Sequence, residues 1–469
     1  MSVDPALARA RVVIAGVGGI GCPAAWALAE AGVGHLVLVD PDLVALHNLP
    51  RQVLFGAQDV GRRKAEVAAE RLRARHRALS VQAVRAPLDG RNADDVLHGA
   101  SVLVDATDGA GAKDGLNALA VERGVPLVHA AGVRSEARLL DVPAGGRPCL
   151  ACLFGRLGAE AGGGCAMLGV WNGTVGIVGM LAALAVLRRL REPRAPGRGY
   201  DVLDLAQRRW TRLQADRREG CEVCGERAQP QGKAYVHAGT EGPPLDAQRA
   251  PPGVLDLTHE RCPMNLLRAR QRLEQAANGE VVEIWLGLEG AATVPDGVRA
   301  LGHAVLVEEA HGLGLRLRVK RAWRPDPDSP EPMGRELLER FARQVVMPDL
   351  GEQGQRRLAS ARVVLRGTAP GVDAARTYLE AAGVGSVDLR PGRTLAASLP
   401  GVGLAWVARR SARGLPEVCR APWIEPPGTP LPAYGPAEGM LLGALLADTV
   451  QRALVAGQPP ADLVAPGPV

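Results

Sequence analysis

Val12 to Asp40 reads VVIAGVGGIGCPAAWALAEAGVGHLVLVD, and this stretch decides the fold. An apolar strand runs into a Gly-x-Gly-x-x-Gly turn at Gly16, Gly18 and Gly21, then a helical pattern, then a second apolar strand ending in Asp40. The glycines let backbone come close to phosphates at a helix N-terminus, and the acid after the second strand suits a ribose hydroxyl. The fingerprint alone does not choose between NAD and ATP, because both offer the same phosphates and ribose.

Outward from this stretch the alternation continues through RVVIAG, HLVLVD, SVLVDATD and VPLVHAAGV. Such a rhythm predicts a doubly wound, mostly parallel α/β sheet of Rossmann type over residues 1–227. A polar stretch rich in Pro and Gly, 228–252, reads as a linker. Residues 253–322 predict a small α/β sandwich, 323–333 a second linker, and 334–469 a shortened α/β half. At 469 residues the chain is too long for one ordinary core.

Composition narrows the classes. The net charge of +6 comes from scattered arginine, with only four lysines, and aromatics are 3% of the chain. A single-strand nucleic-acid groove needs basic and aromatic residues interleaved, so no nucleic-acid partner is expected. No secretory leader is read at the N-terminus, and a cytoplasmic protein is expected. Met167 to Leu187 is apolar for about a membrane span, with arginines directly after it. Its Asn172-Gly173 break and its isolation favour a buried helix and no membrane contact.

Eight cysteines in such a chain point to metal or thiol chemistry rather than disulfides. Cys149-x-x-Cys152 and Cys221-x-x-Cys224 are paired knuckles suited to a closed, structural, tetrahedral Zn²⁺ site, with redox pairs as the alternative.

The residues that choose the nucleotide lie downstream of Asp40. DLVALHNLPRQVLF brings Asn48, Arg51 and Gln52, DVGRRKAEVA brings Lys64, and VDATDGAGAKDG brings Asp105 and Asp108 to a strand end. Hydride transfer needs neither a triphosphate clamp nor a metal carboxylate, whereas an adenylating site needs both. Gly-x-Gly-Gly-x-Gly (with Gly19), Asp, Asn-Leu-x-Arg-Gln, Val-Gly-x-x-Lys and Asp-x-Thr-Asp in this order resemble the ThiF/MoeB/HesA family, bacterial relatives of the ubiquitin-activating enzymes. The resemblance covers roughly residues 9–225. It implies adenylation by ATP and Mg²⁺ of the C-terminal glycine of a ubiquitin-like sulfur carrier protein ending in Gly-Gly. Asp40 would then bind the ribose, Asn48, Arg51, Gln52 and Lys64 the phosphates, and Asp108 the metal. Gly109 stands where the family usually has Asn. Cys165 falls at the family's mobile-loop cysteine, which some members use for covalent transfer and others do not need. The family carries a zinc site of the same kind as the paired knuckles.

LTHERCPMNLLRARQRL places Cys262 just ahead of a helix with Pro263 at its first turn, where the helix dipole favours a thiolate. The segment resembles the TusA/SirA-like sulfur carriers, in which this cysteine bears a persulfide. A cysteine desulfurase or other persulfide donor upstream is implied. Asn265 replaces the second proline of the family's Cys-Pro-x-Pro, and a docking module with an inert thiol is the alternative.

Finally, ASARVVLRGTAPGVDAARTYLEAAGVGSVDLRP near residue 360 repeats the frame of the opening stretch. The second copy has lost its chemistry, with Pro391 where Asp40 stood. Ahead of it, ERFARQ resembles the family's Arg-Tyr-x-Arg-Gln opening, whose second arginine reaches into a dimer partner's ATP site. The resemblance therefore implies an intramolecular pseudo-dimer in which Arg343, helped by Arg340, completes the site around Lys64 and Arg51. The competing functions are an adenylating activator that forms a thioester or amide with the middle unit only docking substrate, and a non-catalytic scaffold or NAD-binding sensor.

Overall fold

The computed structural model describes residues 4–155, 169–225, 251–322, 333–391, 395–399, 404–410, 416–418 and 436–456, apart from 198, 208, 215, 252, 261–263, 278, 312–313, 348 and 368. These fall into two compact units. One holds 4–155, 170–225 and 354–456, and the other holds Gly169, 251–322 and 333–353.

The first unit is built on an eight-stranded sheet of order β3-β2-β1-β4-β5-β6-β7-β8. The strands are β1 Arg11–Ala15, β2 His35–Val39, β3 Ser80–Val84, β4 Val102–Asp105, β5 Leu127–Val133, β6 Glu136–Val142, β7 Tyr200–Asp204 and β8 Arg209–Leu213. β1 to β5 are mutually parallel, and β6, β7 and β8 are added antiparallel. Val12, Val13 and Ile14 are fully buried. A parallel strand covered on both faces reads as a continuous apolar run, and each such side chain contributes about 1.5–3 kcal/mol on burial. The chain order reverses between β1 and β4, leaving a crevice at their carboxyl ends.

The membrane-like segment is the core helix Asn172–Arg191, with 89% of its most apolar window buried. The arginines that follow its apolar run are the decisive residues. Arg188 and Arg189 are both buried and both grip Asp141 of β6, Arg189 Nη2 donating at 2.7 Å. Buried cations need a partner of this kind.

A second sheet in the same unit has the order β14-β13-β15-β16-β17, from β13 Arg362–Gly367, β14 Ser386–Pro391, β15 Leu395–Leu399, β16 Leu404–Arg410 and β17 Pro416–Val418. Only β13 and β14 are parallel. Around them the repeat seen in the sequence recurs bond by bond. Gly34 N donates to Leu7 O at 2.9 Å and Gly385 N to Leu358 O at 3.1 Å; Val33 N donates to Leu28 O and Val384 N to Leu379 O, each at 3.1 Å. Gly32 and Gly383 take φ of 89° and 87°, a backbone state that favours glycine. The two copies pack through the helix Asn172–Arg191, which lies on the helices Gly371–Ala381 and Pro436–Ala456.

The second unit carries a four-stranded sheet of order β11-β12-β10-β9, from β9 Leu255–Leu257, β10 Val281–Leu286, β11 Ala304–His311 and β12 Gly314–Lys320. The helix Met264–Gln275 packs on it through Leu266, Ala269 and Leu273. Leu267, on another face of that helix, packs against Leu338, Phe341, Ala342 and Val345 of the helix Arg335–Val345.

Candidate active site and metal centre

The nucleotide turn follows β1 directly. Gly16 has φ of 90°, and a Cβ there would lie 2.7 Å from the Ala106 carbonyl oxygen. At Gly21 a Cβ would lie 1.8 Å from the Gly16 oxygen. Both glycines are therefore demanded by the fold itself. Gly18 is different, since a Cβ there would meet only Gln52 Nε2, at 3.8 Å. The fold does not need glycine at that position, whereas a phosphate approaching the backbone does. Gln52 is 3% exposed, and its Oε1 has no hydrogen-bond partner among the described residues. The Nε2 that faces the open turn is an amide donor of the kind a phosphate oxygen accepts from.

The other expected residues are placed as follows. Asp40, at the end of β2, accepts the Val17 amide at 2.7 Å and the Asp42 amide at 2.9 Å, and burial raises its pKa, with Lys64 opposing. Asn48 Oδ1 accepts the Ala45 amide at 3.0 Å, which closes the short turn Leu46–Asn48 ahead of Arg51. Arg51 Nη1 donates to His47 O at 2.6 Å. Gly61, at φ of 87°, turns the chain so that Lys64 opens the helix Lys64–Arg75 and returns to Asp42. Lys64 Nζ lies 2.8 Å from Asp42 Oδ2; the lysine side chain is 8% exposed and the carboxylate 64%. Asp42 is a residue that sequence reasoning missed, and its position directly after the Asp40-Pro41 pair was the available signal.

Asp108 is exposed in the loop after β4. Beneath it Asp105 is fully buried and accepts the Thr107 amide at 3.0 Å and the Thr107 hydroxyl at 2.6 Å. His129 Nδ1 lies 2.7 Å from its other oxygen. Burial alone would raise the Asp105 pKa, but Lys113 and the His129 hydrogen bond outweigh it and hold the carboxyl well below its usual range. Lys113 Nζ donates to Thr107 O at 2.5 Å. Asp105, Lys113 and His129 thus fix the loop that presents Asp108, and the latter two were not singled out from the sequence.

The four knuckle sulfurs come together, all within 4.8 Å of one another. Cys149 and Cys152 are 3.9 Å apart, Cys149 and Cys221 3.7 Å, and Cys152 and Cys224 3.4 Å. A tetrahedral zinc with Zn–S of about 2.3 Å requires S···S edges of about 3.8 Å. The donor set therefore fits zinc, which would neutralise thiolates that burial otherwise disfavours; burial pushes the Cys149 thiol up to about 11. Gly225 closes the second knuckle, since a Cβ there would lie 2.3 Å from Cys221 O. Zinc removal, or Cys221→Ser, is expected to lower Tm by roughly 5–10 °C, with one zinc per native chain by elemental analysis. A native Tm after complete zinc removal would contradict the structural role.

Cys165, Cys262 and Cys419 lie outside the described residues. Asn265 is fully buried in the helix that follows Cys262. Arg340 and Arg343 lie on the helix Arg335–Val345 in the second unit.

The chain matches the ThiF family over residues 4–223 and Sulfurtransferase TusA over residues 253–321. It is 35% identical over 220 residues to the sulfur carrier protein ThiS adenylyltransferase of Escherichia coli, covering 47% of this chain and 87% of that protein. It is 42% identical over 175 residues to the SAMP-activating enzyme E1 of Haloferax volcanii, covering 36% of this chain and 64% of that protein. Among solved structures it is similar to E. coli MccB with AMPCPP and MccA, at 25% identity and a TM-score of 0.40, covering 48% of this chain and 69% of that one. The open turn at Gly18, the Gln52 amide facing it and the ordered run of motifs from Gly16 to Asp108 lie inside the matched region, and the chain belongs to the ThiF family.

Proposed function

We propose that this protein uses ATP to adenylate the C-terminal glycine of a ubiquitin-like sulfur carrier protein and then delivers sulfur to it. The observation that carries the first step is the Gly18 turn, open to a phosphate and faced by the Nε2 of the buried Gln52 side chain. The carrier carboxylate attacks the α-phosphorus, the bond to the β-phosphate breaks, and pyrophosphate leaves with an acyl-adenylate formed. Arg51 and Lys64 stabilise charge on the phosphates, and Asp40 receives the ribose. Asp108 would hold Mg²⁺, which would screen the triphosphate charge. The relatives whose names include a sulfur carrier protein and SAMP support the substrate class.

The TusA match supports the second step. A persulfide on Cys262, loaded by a cysteine desulfurase or other persulfide donor, attacks the acyl carbon through its terminal sulfur, and AMP leaves. A thiol then cleaves the S–S bond of the acyl persulfide, releasing the carrier thiocarboxylate and leaving a disulfide on Cys262. Cys165 is the in-chain candidate for that thiol. Tethering the donor to the adenylating domain raises its effective concentration. Incubation with ATP, Mg²⁺, a persulfide source and a Gly-Gly-ended carrier should yield carrier with one oxygen replaced by sulfur, detected by mass spectrometry. Unmodified carrier after demonstrated adenylation would contradict the sulfur step.

The pseudo-dimer is part of the same proposal. Arg343 is carried over from the family's opening motif, and Arg343→Ala is expected to lower adenylation by roughly 100-fold with Tm and zinc content kept. Near-native activity in that variant would sink the pseudo-dimer.

A further inference from the structure

Tyr378 belongs to the second copy by sequence, yet its ring is packed against the first copy's core helix. It is fully buried and occupies the space over Gly176, where an added Cβ would lie 2.3 Å from Tyr378 Cζ and 2.6 Å from its hydroxyl oxygen. Asn172 Nδ2 donates to Tyr378 O at 2.8 Å, and Gln451 Nε2 to the same oxygen at 3.2 Å. Asp448 fills the space beside Gly173, with an added Cβ there 2.5 Å from its Oδ1. Arg452 joins Asp448 to Ser135 Oγ and lies over the Trp171 ring, 4.7 Å from its centroid.

An adjoining face of the same two helical turns touches the nucleotide turn. Val175 Cγ2 lies 3.0 Å from where a Cβ on Gly19 would be, and a Cβ on Gly179 would lie 2.4 Å from the Ile20 carbonyl oxygen. Residues 172–179 are thus gripped by the second copy and press on the turn in the first. The side-chain share of Tyr378 in this grip is its ring, since its hydroxyl has no partner among the described residues. Burial, followed by the nearby Cys22 thiol, raises its pKa well above the usual value, so the hydroxyl stays neutral.

We propose that Tyr378 is a positioning residue for the nucleotide turn. The second copy, which lacks a nucleotide fingerprint of its own, sets through this ring the seat of Val175 beside Gly19 and of Gly179 beneath Ile20. The inference rests on the adenylation reading for its kinetic consequence, though not for its structural one. Close packing transmits such a displacement because the interior has no slack to absorb it.

The test uses the full chain and two readouts: the KM for ATP in pyrophosphate exchange, and amide hydrogen exchange at residues 16–22 without nucleotide. Tyr378→Phe keeps the ring and should leave both unchanged. Tyr378→Ala should raise the KM for ATP about tenfold or more, as expected when a binding group is displaced by a fraction of an ångström, with the carrier KM kept. It should also speed hydrogen exchange at residues 16–22 selectively. If Tyr378→Ala does not fold, Tyr378→Leu replaces it with the same expectation and smaller amplitude. A folded variant with native ATP KM and native protection overturns the proposal, and so does a uniform loss of protection across the unit. Failure of the adenylation reading would look different: the native chain would show no pyrophosphate exchange with any carrier, while selective deprotection at residues 16–22 would persist.

Discussion

Lys64→Ala is expected to lower carrier-dependent ATP–pyrophosphate exchange by roughly 100- to 1,000-fold, the usual cost of removing one preorganised charge from a transferring phosphoryl group. The structure gives the reason for expecting an effect of this size. The Lys64 side chain is nearly buried at the start of its helix and paired with Asp42, so its ammonium is fixed in place before any nucleotide arrives and costs little to organise. Two controls separate catalysis from folding. Lys64→Ala should keep most of its Tm, because the Asp42 partner it abandons is solvent-exposed and can be hydrated. Asp42→Asn breaks the ion pair but keeps the cation, so it should cost far less exchange activity than Lys64→Ala. Equal losses in the two variants would mean that the pair matters as a fold element and that Lys64 does not act on phosphate.

Cys262→Ser is expected to abolish thiocarboxylate formation and to leave pyrophosphate exchange intact. The split follows from the proposed order of events, in which adenylation is complete before sulfur is needed. The helix Met264–Gln275 begins two residues after Cys262, and a thiol ahead of a helix N-terminus has its anion favoured. A serine hydroxyl at the same place cannot carry a persulfide. Thiocarboxylate formed undiminished by Cys262→Ser would move the second unit from sulfur delivery to substrate docking.

Much of the first half was legible because its chemistry and its fold use the same residues. Gly16 and Gly21 are demanded by backbone crowding and also form the fingerprint, while the buried stretches of β1, β2 and β4, residues 12–15, 36–39 and 102–104, announce themselves as unbroken apolar runs. The cysteine knuckles were legible from spacing, because a tetrahedral thiolate site requires paired ligands on tight turns. Periodicity gives an apolar face, however, and not the surface that covers it. The stripe Leu338, Phe341, Ala342 and Val345 precedes the second copy in sequence but packs on Leu267 of the middle domain. Tyr378 reads as an ordinary core residue of its own helix, and only the structure shows that it fills the space over Gly176. The apolar run before Arg188 was ambiguous for the same reason, since its resolution lay in Asp141, far away in the chain. Lys113 and His129 carry no motif signal by themselves; the role of His129 appears only once β4 and β5 are paired, and that of Lys113 once the helix Ala110–Glu122 folds back on the loop after β4.

The most direct test of the central claim is ATP–pyrophosphate exchange by the full chain, with and without small Gly-Gly-ended ubiquitin-like proteins. Exchange that appears only when one such carrier is present, and disappears when its terminal glycine is removed, is the predicted result. Absence of exchange with every carrier, from folded protein, would contradict adenylation and leave the open turn at Gly18 without a substrate.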